Sequence, residues 1–333
     1  EPGSVTVERG EIAVENLSAA RPGLEQDAGV GAISYHQRAH IGQADVTLEI
    51  GPGVGRLDGA DLGAWVAVGQ APGVVALDID GTIVSVDGDL PDEVRDAVRR
   101  VVAAGVPVVL TTGRAWAGTQ IIFDALGLPP GPSVCANGAM IVNYPPVEVV
   151  HEIRFDPADS IKRAARLAPN AAIAVTDGML WRVSKPFPDG ELNGEFVVES
   201  VEELASRPVS RIVVHDPETD DDVFNEMVEA LGLREVSYYM GWSSWVDIVP
   251  KDVDKARGLE RVCGQLGVAA ADVLVLGDGY NDIEMIRWAG RGVAMGDAPH
   301  GVRAAADHVT GDFGSGGAVQ ELERWFPAEI KAG

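Results

Sequence analysis

Three short apolar segments, each followed directly by polar or acidic side chains, constrain the fold of this chain more than any other feature of its sequence. They are Val74 to Leu77, Val106 to Leu110 and Val273 to Gly277. Each is apolar throughout instead of alternating, which is typical of strands buried on both faces, as in a parallel sheet. A helical pattern from Pro91 to Ala104 connects the first two. We therefore predict an α/β fold with a doubly wound, Rossmann-like parallel sheet.

This strand–helix–strand pattern is interrupted between residues 147 and 241. Several strand-like segments occur there, separated in part by helical patterns at Pro157 to Leu167 and Asp221 to Leu231. Such a mixture indicates an inserted α+β domain. We therefore assign residues 73–146 and 242–333 to the core and residues 147–241 to the insertion.

Residues 1–72 form a third region, rich in glycine and acidic residues. Short alternating segments at Val5 to Val7, Asp45 to Ile50 and Ala64 to Val68 predict strands joined by glycine turns. We expect a β-rich N-terminal extension. Three roles stay open for it: an accessory domain, an extra layer on the core, or an arm that pairs with another subunit by strand addition in a homo-oligomer.

The charge of the chain excludes several classes of partner. Lys and Arg number 26 against 51 Asp and Glu, a formal net charge of -25. Such a surface repels nucleic acid and anionic membranes, so we expect neither as a partner. A phosphate group would need local cations, from side chains or a bound metal. Cys135 and Cys263 form no CxxC pair, and the longest apolar run is about half of a bilayer span, which together fit a reducing cytoplasm.

Two carboxylates follow the first apolar segment. Asp78 and Asp80 are spaced i, i+2, so at strand periodicity both project to the same side, where open α/β sheets bind ligands. Like charges this close need a divalent cation or a shared proton. The alternative is a strand end followed by an Asp-Gly turn without chemistry.

Hydroxyl and basic side chains follow the second segment. The residues Thr111, Thr112, Gly113 and Arg114 come directly after Leu110. The Thr112 hydroxyl and the N–H groups after it can hold phosphate oxygens, while Arg114 adds charge or locks the loop. Taken alone, Thr112 fits a helix cap better.

A lysine and an acidic cluster complete the set. Lys255, at the start of a predicted helix, can neutralise a phosphoryl oxygen, and Lys251 is a competing candidate. After the third segment, Asp278 can complete an oxygen-ligand set with Asn281 and Asp282 as partners. Asp282 can also cap the helix that begins there.

The order of these motifs resembles the haloacid dehalogenase superfamily. The sequences DIDGT from Asp78, LTTGR from Leu110, Lys255 and GDGYND from Gly277 are similar to the motifs of its Cof-type phosphatases, whose class IIB cap is an α+β domain inserted after the second motif. The segment around Asn137 also resembles the Asn-Gly segment that precedes the cap in that branch. The resemblance covers about Gly73 to Phe326.

The resemblance implies a function and roles for the residues. It implies a magnesium-dependent phosphomonoester hydrolase that acts on a small phosphorylated metabolite, with a sugar phosphate as the best guess. Asp78 would attack phosphorus to form an aspartyl phosphate, and Asp80 would protonate the leaving oxygen and later activate water. Asp278 would hold Mg²⁺ with Asp78 and the backbone carbonyl of Asp80, supported by Asp282. The phosphoryl oxygens would be held by Thr112, Gly113, Lys255 and Asn281.

Substrate contacts are expected at the mouth of the site and on the cap. Arg114, Asn137 and Arg182 are candidates, as are Lys185, Trp242 and Trp245. The tryptophans could stack on a sugar or pack as hinge and core residues. Two other functions stay open. A phosphomutase of the phosphomannomutase type shares the aspartyl-phosphate chemistry, and a non-catalytic module could bind a phosphorylated ligand.

Overall fold

The N-terminal unit contains a small antiparallel sheet. The computed structural model describes residues 4–8, 11–13, 39–40, 47–49, 71–85, 88–188, 190–233, 236–240 and 244–328, and the chain divides into the compact units Glu1–Ala71 and Pro72–Gly333. The first unit contains the strands β1 (Ser4–Glu8), β2 (Glu11–Ala13), β3 (Ala39–His40) and β4 (Thr47–Glu49). Their order is β3-β2-β1-β4. The strands predicted near residues 5–7 and 45–50 correspond to β1 and β4, whereas 64–68 lies outside the described residues.

The second unit alternates strands and helices. Its strands are β5 (Val74–Leu77), β6 (Val108–Leu110), β7 (Gly131–Cys135), β8 (Met140–Tyr144), β9 (Glu148–Glu152), β10 (Ala172–Asp177), β11 (Leu180–Val183), β12 (Phe196–Val198), β13 (Arg211–His215), β14 (Val236–Met240), β15 (Trp245–Pro250), β16 (Val273–Gly277), β17 (Arg291–Ala294) and β18 (His308–Val309). Its helices are α1 (Asp92–Ala103), α2 (Trp116–Leu126), α3 (Ala158–Leu167), α4 (Val201–Leu204), α5 (Asp221–Leu231), α6 (Lys255–Leu266), α7 (Ile283–Trp288), α8 (His300–Arg303) and α9 (Gly317–Trp325). Among these described helices, none is long and apolar enough to cross a membrane.

The core is a five-stranded parallel sheet in the order β18-β17-β16-β5-β6. Because β6 and β16 lie on opposite sides of β5, the direction of winding reverses there, and the carboxyl ends of β5 and β16 flank the crevice where such sheets bind ligands. The two central strands β5 and β16 are buried along their whole length. On α1, Val94, Val98 and Val101 repeat at helical spacing and join the same apolar cluster. The predicted α/β fold is confirmed.

A six-stranded sheet forms the centre of the insertion, in the order β12-β11-β10-β13-β15-β14. Residues that alternate along β13 and β15, such as Ile212 and Ile248, lie in an apolar cluster with residues of α3 and α5, including Phe224. The helices therefore cover one face of this sheet. The side chains that alternate with these residues, Trp245 among them, belong to the other face.

The insertion extends further along the chain than the sequence indicates. Strand β15 pairs with β13 on one side and with β14 on the other, so it belongs to the sheet of the insertion. This moves our proposed end of the insertion from residue 241 to residue 250. The segment Val246–Val249 is buried because it lies inside this sheet. Local sequence cannot distinguish such a strand, which pairs over a long range with the insertion, from a strand of the core.

Helix α6 packs closely against β7, and this contact gives a matched test of stability. A Cβ atom on Gly258 would lie 2.4 Å from Cγ1 of Val134, whereas one on Gly264, in the same helix, would meet nothing within 4 Å. We expect Gly258→Ala to lower the free energy of unfolding by about 1–3 kcal/mol through overpacking. Gly264→Ala should raise it by up to about 1 kcal/mol, because alanine favours the helix. Denaturant unfolding of both variants measures the difference, and similar stabilities would contradict the packing.

Candidate active site

Three carboxylates meet where two neighbouring core strands end. Asp78 directly follows β5 and Asp278 directly follows β16, and Leu77 pairs with Leu276 in the parallel ladder. Asp282 lies just beyond. One oxygen of each carboxylate lies within 4.8 Å of the others, and all three residues are buried. The cluster therefore arises from the alignment of the two strand ends.

The buried ammonium of Lys255 links two of these carboxylates. Its Nζ donates to Oδ1 of Asp78 and to Oδ1 of Asp282, both at 2.6 Å. The side chain of Asp254 caps α6 by accepting from the N–H of Arg257, which makes Lys255 the first helical residue. Lys251, the competing candidate, is exposed and does not line the cavity described below.

Asp282 organises the loop after β16. Its Oδ2 accepts the backbone N–H groups of Asp278 at 2.9 Å and Gly279 at 2.8 Å. Thr82 donates its hydroxyl to Oδ1 of Asp278 at 3.0 Å. Gly81 adopts φ +80°, and a Cβ there would lie 2.3 Å from Oδ2 of Asp278. Only glycine allows the loop that follows β5 to approach Asp278 so closely.

The electrostatics of the cluster favour a cation. Burial raises the pKa of Asp78 well above its ordinary value, and the charge of Asp282 adds to this, while Lys255 opposes it. Burial and the charge of Asp282 raise the pKa of Asp278 to about 7. Burial alone would lower the pKa of Lys255, but the charges of Asp282 and Asp78 outweigh it and the pKa is raised. One ammonium thus faces three carboxylates, a donor set of hard oxygens that fits a divalent cation such as Mg²⁺.

Asp80 is held by the loop after β6. Arg114 donates from Nε to Oδ2 of Asp80 at 2.8 Å and from Nη2 to Oδ1 at 2.5 Å. The Thr112 hydroxyl accepts the backbone N–H of Arg114 at 3.0 Å. Thr112 therefore shapes this loop and does not cap α2, whose N-cap residue is Ala115. Gly113 lines the cavity in front of the carboxylates.

Asn137 connects the core site to the cap. It is fully buried and adopts φ 53°, a left-handed conformation that asparagine tolerates. Its Oδ1 accepts from Nδ2 of Asn281 at 2.9 Å, and its own Nδ2 donates to Oδ2 of Asp247 at 3.4 Å. A polar chain therefore runs from the predicted phosphate ligand Asn281 to β15.

Arg182 does not lie where the sequence analysis expected it. Its side chain is fully buried, and it donates to Oε2 of Glu199 at 2.7 Å and to the carbonyl of Glu203. It is not among the residues that line the cavity, so its ion pair belongs to the cap's own structure. Lys185 donates to the carbonyl of Asn170 and also lies outside the lining.

The cavity has a volume of about 600 Å³ and lies between these core residues and the cap. Of the two tryptophans considered from the sequence, Trp245 lines the cavity, whereas Trp242 lies outside the described residues. Sequence reasoning missed Arg211, His215 and Asp247, which also line it. The signal was present: in β13 the polar residues 211 and 215 interrupt an apolar strand at even spacing, which places them on one face.

A comparison with known proteins identifies the family. The model of the haloacid dehalogenase-like hydrolases matches residues 75–322. The chain belongs to this family. The resemblance seen in the sequence motifs is thereby confirmed, and the phosphatases named among its relatives make this haloacid dehalogenase-like hydrolase a phosphatase.

Two curated relatives illustrate the similarity. Pyridoxal phosphate phosphatase YbhA of Escherichia coli (strain K12) is 29% identical over 261 residues, covering 72% of this chain and 93% of the relative. 5-Amino-6-(5-phospho-D-ribitylamino)uracil phosphatase YcsE of Bacillus subtilis (strain 168) is 28% identical over 254 residues, covering 76% and 95%. The alignments thus span nearly all of each relative.

Solved structures share the fold. A subclass IIB sugar phosphatase of this superfamily aligns with a TM-score of 0.65 at 23% identity, over 77% of this chain and 99% of that chain. TM0651 from Thermotoga maritima aligns with a TM-score of 0.63 at 22% identity, over 77% and 97%. At these identities the likeness establishes the architecture of core and cap.

The Lys255 contacts predict a large effect on stability. Lys255→Met leaves Asp78 and Asp282 buried without their shared cation, which should lower the free energy of unfolding by about 3–5 kcal/mol in metal-free buffer. Lys251→Met, at an exposed position of the preceding turn, should change it by less than about 1 kcal/mol. Urea unfolding in the presence of a chelator measures both. Equal effects would show that Lys255 does not hold the two carboxylates.

Proposed function

We propose that this phosphatase is a magnesium-dependent phosphomonoester hydrolase in which Asp78 attacks phosphorus. The observation that carries the proposal is the buried carboxylate of Asp78 at the end of β5, in contact with Lys255 and beside Asp278 and Asp282. A carboxylate needs no separate base to act as a nucleophile. Lys255, together with the cation that the carboxylates would hold, would supply the positive charge that an attack on a phosphate dianion requires.

Asp78 and Asp278, with the backbone carbonyl of Asp80, would hold Mg²⁺, and Asp282 would keep the loop of Asp278 in place through its bonds to backbone N–H groups. When bound, the metal neutralises phosphoryl oxygens and brings the phosphate dianion close to the carboxylates. Acceptor oxygens and local excess negative charge support this assignment.

The proposed reaction has two steps. In the first, an Asp78 oxygen forms a bond to phosphorus, the ester P–O bond breaks, and the leaving oxygen takes a proton from Asp80. In the second, water gives a proton to Asp80 and attacks the phosphorus of the aspartyl phosphate. The bond between Asp78 and phosphorus breaks, so that inorganic phosphate is released and the Asp78 carboxylate is restored. Positioning and charge neutralisation supply most of the catalysis in such transfers. Lys255, Thr112, Gly113 and Asn281 would position the phosphoryl oxygens.

The contacts of Asp80 add a condition to this scheme. Both of its oxygens accept from Arg114, and a carboxyl oxygen that accepts one such bond keeps a second lone pair for a proton. The proton that Asp80 passes to the leaving group would therefore lie on the side of the carboxyl group that faces away from Arg114. Arg114 lines the cavity and would hold Asp80 in this orientation.

A sugar phosphate is our proposed substrate class. The ring of Trp245 lines the cavity, and aromatic rings stack well on sugar faces. Relatives named for pyridoxal phosphate and for a phosphoribitylamino uracil support a small phosphorylated metabolite as the substrate. Because both cysteines are buried free thiols, we propose a reducing cytoplasm as the place of action. A homo-oligomer stays a prediction.

Phosphate release tests the nucleophile. Asp78→Asn removes the attacking oxygen, so release of inorganic phosphate from a panel of sugar phosphates should fall by about 10³-fold or more. Asp96→Asn, an exposed change on α1, should keep wild-type turnover. Omission of Mg²⁺ should abolish turnover of both the wild type and Asp96→Asn. Near-normal turnover by Asp78→Asn would overturn the assignment. An isomeric sugar phosphate with little free phosphate would indicate a mutase instead, and binding without turnover would indicate a non-catalytic module.

Thermal unfolding tests the metal site without activity. Mg²⁺ that binds the folded protein should raise its Tm, and Asp278→Asn should lose this rise while Asp96→Asn keeps it. Because the pKa of Asp278 is raised to about 7, protons compete with the metal below that pH. The apparent affinity for Mg²⁺ should therefore increase from pH 6 to pH 8. An Mg²⁺ effect that survives in Asp278→Asn, or that is the same at both pH values, would contradict the assignment.

A further inference from the structure

The core carboxylates line one part of the cavity, and residues of the cap line another part. Arg211 and His215 on β13 and Trp245 and Asp247 on β15 line it. These two strands are antiparallel neighbours, with His215 opposite Trp245, so the four side chains share one face of the sheet. We call these four residues, together with Glu191, the cap wall.

The buried cation of the cap wall already has an anionic partner. Arg211 is 4% exposed, and its Nη2 lies 2.6 Å from Oδ1 of Asp247, with Nε donating to the same oxygen at 2.8 Å. Its guanidinium carbon lies over the ring of Trp181, 5.3 Å from the centroid. These contacts hold the guanidinium in the wall, where its charge is compensated.

The other basic groups of the cavity are paired as well. Nε2 of His215 lies 3.0 Å from a carboxylate oxygen of Glu191, and Arg114 is bound by both oxygens of Asp80. Within the described part of the chain, every arginine and histidine that lines the cavity therefore has a carboxylate partner. A second anionic group on a substrate would find no unpaired cation on the cap wall.

Acceptors and an aromatic surface remain available. The Glu191 side chain is 33% exposed, so its carboxylate can accept hydrogen bonds in addition to its contact with His215. The ring of Trp245 is half-buried, lies 5.1 Å from that of His215 and is tilted against it. Carboxylate oxygens beside an aromatic face suit hydroxyl or ammonium donors on a compact, partly apolar group.

We infer that the cap wall binds an uncharged or cationic leaving group rich in hydrogen-bond donors, such as a polyol or amino sugar, and rejects leaving groups that carry a second anionic group. This inference rests on the proposed phosphatase function and narrows its substrates. The chemistry at phosphorus is the same for both kinds of ester, so the discrimination arises at the cap wall.

Matched pairs of esters test the inference. The two members of each pair have a phosphate ester and the same number of carbon atoms, and one member ends in a carboxylate where the other ends in an uncharged or cationic group: 6-phosphogluconate against glucose 6-phosphate, 3-phosphoglycerate against glycerol 3-phosphate, and phosphoglycolate against phosphoethanolamine. Hydrolysis of p-nitrophenyl phosphate with Mg²⁺ is the reporter, and each compound is measured as a competitive inhibitor as well as a substrate. Inhibition constants are thereby obtained even for esters that turn over slowly.

The expected result is a consistent order within pairs. The uncharged or cationic member should inhibit at least tenfold more strongly than its carboxylate partner, with kcat/KM in the same order wherever turnover is measurable. Equal or reversed order within the pairs would overturn the inference while leaving the phosphatase intact. Failure to hydrolyse any ester, p-nitrophenyl phosphate included, would instead overturn the proposed function.

A pair of variants tests the cap wall itself. Glu191→Gln removes a negative charge from the wall, so the preference for the uncharged or cationic member should shrink by at least threefold. Glu195 lies in the same connection between β11 and β12 as Glu191, is exposed and does not line the cavity. Glu195→Gln should therefore leave the preference at its wild-type value. An unchanged preference in Glu191→Gln, or the same loss in both variants, would overturn the role of the cap wall.

Discussion

The buried ammonium of Lys255, shared by Asp78 and Asp282, is the contact on which the rest of the site depends. Buried carboxylates are costly without such compensation, and the shared cation offsets the cost of burying Asp78 and Asp282 side by side, beyond the ends of the paired strands β5 and β16. Asp282 then fixes the backbone that carries Asp278. One ammonium group, through two ion pairs, thus joins two strands and a helix that are far apart in sequence, and the cluster still carries the excess negative charge that would attract a metal.

Local sequence, together with the resemblance of its motifs to the haloacid dehalogenase superfamily, was sufficient to predict the core half of the site. Buried parallel strands have a strong signature, and the residues after Leu77 and Gly277 must meet because those strands are neighbours in the sheet. The cap half could not be derived in this way. Whether Arg211 faces solvent, helix or cavity depends on which strands flank β13, and that pairing joins segments distant in sequence. Arg182 lies on β11, two strands away from β13; it too is a polar residue in an apolar strand, but its side chain forms an internal ion pair.

The strongly acidic composition takes on a definite meaning inside the cavity. Its two arginines are committed to Asp80 and Asp247, and Lys255 is shared by Asp78 and Asp282. The metal that the carboxylate cluster would hold would therefore supply the positive charge for a phosphate, while the described remainder of the cavity is neutral or negative. Under the proposed function, a phosphorylated ligand would be oriented by charge as well as shape, with its phosphate toward the core and its uncharged part toward the cap.

The direct passage from β15 into α6 limits how this protein can diversify. The strand that presents Trp245 and Asp247 to the cavity ends at Pro250, and a short turn later the chain reaches Lys255. The cap therefore cannot be exchanged freely at its C-terminal boundary. A graft that shifts this junction by one residue would move the side chains of β15 to the opposite face of the sheet and would also displace Lys255. Evolution of new substrates is expected to proceed by point substitutions on the cavity-facing positions of β13 and β15, with the spacing between strand and helix preserved.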